Sequence, residues 1–146
     1  MIVWEKGETF ESLQKREIQE IVKNMAIYFV NNTENVNNIK LNCLFYFADK
    51  MSIKEYVFPI SRQDYFAYEY GPSPVSIRNN IINAFNLNDI FIKNSDGFFN
   101  TIPGIFFVDG EFCNNDLTIL DSIINEFKTI TWQEISKKAC EKGDCM

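Results

Sequence analysis

Few side chains in this sequence stand where they could do chemistry, and Asp49 is the clearest. It follows LNCLFYFA, Leu41 to Ala48, so a carboxylate closes the most apolar stretch of the chain. A carboxylate near a helix C-terminus is disfavoured by the helix dipole, and partial burial obliges it to find donors. Two roles fit. In one, Asp49 is an acid or base in a cleft with the hydroxyls of Tyr46 and Tyr70, the arrangement of a small hydrolase. In the other, it ties a central helix to a loop. The donor would then be the Tyr70–Ser73 corner, a nearby hydroxyl or a cation. Structural networks use such carboxylates more often, and the second role is the one expected here. Asp109 with Glu111, and Glu5 with Glu8, are close in sequence, but nothing raises them above solvated loop charges.

The chain has no histidine, which removes Ser-His and Cys-His nucleophilic pairs and any imidazole base. It has no phosphate-binding loop, no dinucleotide fingerprint and no metalloprotease signature. Its cysteines, Cys43, Cys113, Cys140 and Cys145, show no CxxC spacing. A zinc site would need these scattered thiols to converge. No catalytic residue, cofactor or metal site is expected. The net charge is −6, and the arginines are Arg16, Arg62 and Arg78 alone. Nucleic-acid binding rests on neutralising phosphates, so this balance argues against it. That weakens a base-stacking role for Tyr65, Phe66, Tyr68 and Tyr70. An acidic surface suits a basic protein partner better.

These side chains need elements to position them. The 146 residues, 46% apolar and 23% charged, suit one ordinary domain. No apolar run reaches membrane-spanning length and no leader pattern opens the chain, so a cytoplasmic location is expected. A first helix is predicted from about Phe10 to Val30, with Ile18, Ile21, Val22, Met25 and Phe29 on one stripe. A second runs from about Val36 to Tyr56. Its middle is apolar nearly all round, so it belongs at the centre of the domain. VFPI (Val57 to Ile60) reads as an edge strand, because Pro59 cannot donate to a ladder. YFAYEY (Tyr65 to Tyr70) is rich in strand formers.

GPSP follows. Gly71 permits a sharp turn, Ser73 suits an N-cap, and Pro74 then falls at the favoured first helical position. The pattern continues through Ile77, Ile81, Ala84 and Phe85, so a third helix to about Asn86 is predicted. IFIKNSDGFFNTI reads as a hairpin turning at Asp96-Gly97. IFFV (Ile105 to Val108) suggests one more strand. A fourth helix starts near Asn114 or Asn115, with Leu117, Leu120, Ile124 and Phe127 on its apolar face. A fifth opens with a capping box, Thr131 and Glu134, and a hydrophobic staple, Ile130 and Ile135. The predicted fold is α+β: a single helix-dominated domain of about five helices with a small antiparallel β-sheet.

The ordered blocks KLNCLFYFADK, PI and YEYGPSPVSI resemble the Panacea domain, a SocA-like antitoxin family. Lys40, Leu41, Leu44, Tyr46, Ala48 and Asp49 match its first block, Pro59 and Ile60 the second, and Tyr70, Gly71, Pro72 and Pro74 the third. The resemblance covers roughly residues 39–137. The tail KKACEKGDCM departs from the family's usual ending. The resemblance implies an antitoxin of a two-gene system, in some cases prophage-borne, that neutralises a cognate protein toxin by direct binding. The contact surface is expected around the strand-to-helix corner, at Tyr68, Arg78 and Asn79. Tyrosine and arginine are common interface anchors, and the third helix would turn Arg78 and Asn79 to solvent.

Overall fold

The computed structural model describes residues 10–62, 65–68, 71–74, 81–82 and 85–140, with side chains at 17–62 and 87–140. Helix α1 spans Phe10–Asn32 and α2 spans Asn38–Tyr56. The α1 stripe works as its spacing requires: Ile21, Val22, Met25, Ala26 and Phe29 are all buried. Past its end, the Thr33 N–H and hydroxyl both reach the Phe29 carbonyl, at 3.0 and 2.6 Å. Asn37 caps α2, its Oδ1 accepting from the Lys40 N–H at 2.9 Å. Val36 is therefore outside the helix. Its side chain is buried, and its carbonyl accepts the Phe99 N–H at 2.7 Å.

Two more helices close the chain: α3, Asn114–Phe127, and α4, Trp132–Cys140. The cysteine before α3, Cys113, gives its N–H to Asp116 Oδ2 at 3.1 Å. Thr131 Oγ1 accepts the Glu134 N–H at 3.2 Å, the expected half of the capping box, while Ile135 is buried and Ile130 packs on the core. Helix α2 touches α1, α3 and α4 and is central, as its all-round apolar middle predicts. Phe45 meets Phe29 edge-on at 5.6 Å, and Phe47 stacks on Phe127 at 4.8 Å.

The strands are short. β1 (Tyr65–Tyr68) pairs antiparallel with β2 (Gly71–Pro74), with Tyr65 opposite Pro74 and Tyr68 opposite Gly71. β3 (Ile81–Ile82) pairs with β4 (Phe85–Asn86), and a 3-10 turn follows at Leu87–Asp89. β5 (Phe91–Lys93) and β6 (Phe99–Thr101) form the predicted hairpin. Gly97 takes φ 84° in its turn, where Asn94 Oδ1 accepts the N–H groups of Asp96 and Phe98.

Three expectations are corrected. The described residues hold four helices, not five. Where a third helix was predicted, Gly71–Pro74 is a strand and Ile81–Ile82 and Phe85–Asn86 pair as strands, while residues 75–80 lie outside the described residues. Cross-strand pairing with YFAY overrides the local helix-start signal. Pro72 and Pro74 stand two apart, so both nitrogens can face away from β1, where a missing N–H costs no ladder bond. VFPI forms no strand either. Val57 terminates α2 with φ 80°, its N–H reaching the Ile53 carbonyl at 3.0 Å, and the chain turns instead of extending. IFFV is also not a strand. It is held on α1 by a side chain, since Asn24 Oδ1 accepts the Val108 N–H at 2.9 Å.

Candidate functional site

The residues singled out in the sequence divide by position. Asp49 is only 1% exposed. Its carboxylate accepts the Ser61 N–H at 3.0 Å and the Ser61 hydroxyl, so it ties α2 to the segment beyond the Val57 turn. A nearby hydroxyl is thus a donor, as expected. Tyr46 leans edge-on to Phe47 at 5.4 Å, with Lys50 Nζ 5.7 Å from its ring centroid. Gly71, Pro72 and Pro74 lie in β2, which packs on α2, and Tyr68 ends β1. Tyr70, Arg78 and Asn79 lie outside the described residues.

Lys40 has a role that residue patterning missed. Its side chain is fully buried, and Nζ donates to the carbonyls of Glu34 at 2.6 Å, Ile130 at 2.8 Å and Lys128 at 3.3 Å. An ammonium carries three donors and no acceptor, so each proton finds an oxygen. Burial pulls its pKa down to about 8, against a smaller upward pull from Glu34. The signal was available: a lysine heading an apolar helix has no solvated face to occupy.

An open surface lies at the other end of α2. A cleft of about 460 Å³ is lined by Ile21, Tyr56, Phe58, Ile60, Arg62 and Phe112 among others, with Glu111 and Asp116 on its wall. Beside it stand four large apolar side chains in solvent: Ile53 (50% exposed), Tyr56 (45%), Val57 (73%) and Phe58 (74%). A second groove of about 310 Å³ runs between α2 and α3, past Phe47, Met51, Ile123 and Phe127. Neither cleft is lined by Asp49 or Tyr46. Among the described residues no three His, Cys, Asp or Glu side chains gather as metal ligands. No helix there is long and apolar enough to cross a membrane.

The arrangement is helix-dominated, and the buried carboxylate of Asp49 is tied into the fold. Residues 41–144 match the model of the antitoxin SocA-like family, Panacea domain, and the chain belongs to that family. The match runs into the tail that resembled the family least. No curated protein and no solved structure matches the chain.

Proposed function

We propose that this chain is a non-enzymatic antitoxin that neutralises a protein toxin encoded beside it by binding that toxin directly, in a setting that includes prophages. Membership of the antitoxin family over residues 41–144 carries the reading. The chemistry of the chain agrees with it. Asp49 is engaged by Ser61 and faces neither described cleft, so nothing favours a hydrolase built on it. The net charge of −6 suits a basic partner. The contact surface proposed from the sequence, at Tyr68, Arg78 and Asn79, belongs to this reading.

The test is co-expression. Each reading frame adjacent to the gene is induced alone and then together with this chain. One adjacent product should arrest growth alone and be silenced by this chain. A folded Tyr68→Ala, Arg78→Ala double variant should lose that protection. Absence of any toxic neighbour, or protection without a complex between the purified proteins, contradicts the reading. Full protection by the double variant moves the contact surface elsewhere.

A further inference from the structure

The turn after α2 holds an uncommon backbone. Val57 sits at φ 80°, ψ −27°. That left-handed conformation is costly for a β-branched residue and persists only where the surroundings enforce it. Here several restraints do so. The Val57 N–H is bonded to the Ile53 carbonyl, and the buried Ser52 hydroxyl donates to the Phe58 carbonyl at 2.6 Å. Pro59 restricts Phe58 from the other side, and Asp49 holds Ser61 just beyond. The restraints present one ring, Phe58, to solvent. Ile53 and Tyr56, three apart in the last turn of α2, and the cap residue Val57 are exposed as well.

An apolar knuckle held rigidly beside a cleft has the form of an interface anchor, since rigid aromatics lose little entropy on binding. The floor of the cleft is apolar, with Ile21, Ile60 and Phe112. The charged lining comprises Glu111 and Asp116 against Arg62. The local excess is acidic, matching the sign of the whole chain. We infer that the Tyr56–Phe58 knuckle and its cleft are a further docking surface, additional to the one proposed at Tyr68, Arg78 and Asn79, for a basic protein partner, which inserts an apolar side chain against Ile60 and Phe112. This rests on the reading of the chain as an antitoxin, and the partner is then the toxin.

The experiment is calorimetric titration of the full-length chain with the purified product of the adjacent toxic gene. Phe58→Asp should weaken binding by about 30-fold or more, the loss typical of an interface anchor. Phe58→Leu should largely retain it. Glu111→Lys should weaken it several-fold at low salt and reduce its salt dependence, because screening acts on exposed charge pairs. Thermal melting confirms that each variant folds, which the exposure of Phe58 favours. If the wild type binds and both Phe58→Asp and Glu111→Lys bind equally well, the docking surface is wrong and the antitoxin reading survives. If the wild type neither binds nor protects, both fall. A wild-type dimer that Phe58→Asp dissociates makes a second copy the occupant and overturns the toxin assignment of this face.

Discussion

The two ends of α2 treat the same backbone problem in opposite ways. At the N-terminal end, Asn37 caps the helix and Lys40 joins it to two other segments through the carbonyls of Glu34, Lys128 and Ile130. A direct bond from the Glu34 N–H to the Lys128 carbonyl, 2.9 Å, reinforces that junction. At the C-terminal end, a valine is held in the left-handed region and four apolar side chains stand in water. One end is capped and tied to its neighbours, and the other carries a left-handed turn and exposed apolar surface. Strain and exposed apolar surface together are what a binding site retains and a structural junction removes. The contrast places structure at the start of the helix and recognition at its end.

The largest effect should come from breaking the closed end. Lys40→Met keeps the volume of the stem but removes three hydrogen bonds, leaving the carbonyls of Glu34 and Ile130 without the ammonium while the Lys128 carbonyl keeps the Glu34 N–H. Hydrogen bonds to a charged group contribute about 1.5–3 kcal/mol each, partly offset because no charge is then buried, so a net loss of about 3 kcal/mol is expected in urea unfolding. The pH dependence sharpens the point. With Lys40 lowered from 10.5 to about 8, the unfolded chain holds a proton that the folded chain has released between those values. Its contribution to stability therefore rises with pH across that window. Tyr28, raised from 10.0 to about 12 chiefly by its hydrogen bond to Asp121, acts in the opposite sense and only above its unfolded value. Between about pH 8 and 10 the wild type should gain stability relative to Lys40→Met. A flat difference would mean that the ammonium keeps its proton.

Asp49→Ala should be the next largest, at about 1–3 kcal/mol, because the buried Ser61 N–H and hydroxyl lose their acceptor. Ser61→Ala leaves the carboxylate one of its donors and should cost less than Asp49→Ala. Hydrogen exchange should show the loosening beyond Val57 before it shows any at Lys40. Equal loosening at both ends would mean that α2 responds as one unit and that its ends are not independent.

Much of this was legible from residue patterning. The burial of α1 and the centrality of α2 follow from apolar spacing, and the Asn94–Gly97 hairpin follows from turn chemistry. Asp49 could be read as needing a donor because its surroundings in sequence are apolar. The helix start placed at Ser73-Pro74 failed because that pair starts a helix only when no strand lies opposite, and Tyr65–Tyr68 supplies one. VFPI failed for a related reason: Val57 and Phe58 stand exposed and Ile60 is buried in the core, with no ladder between them. Nothing local distinguishes such a turn from a strand, since the left-handed Val57 depends on Ser52 and on the Asp49–Ser61 tie. The partners of Lys40 were hidden because two of them lie 88 and 90 residues away.

The smallest expected effect is the most discriminating between the ends. Val57→Gly removes a side chain that is 73% exposed, so little packing is lost. It also relieves a left-handed conformation costing about 1–2 kcal/mol for an L-residue. Glycine returns about 0.5–1 kcal/mol of that through the entropy of the unfolded chain. The net should be a gain of up to about 1 kcal/mol, a rise in Tm of roughly 2–4 °C for a domain of this size. The same change frees the backbone that aims Phe58, so affinity for the toxin should fall even as stability rises. Stability and binding moving in opposite directions is the signature of strain held for recognition. If Val57→Gly instead destabilises the chain and leaves binding intact, the turn is an ordinary helix terminus, and the contrast between the two ends of α2 carries no functional meaning.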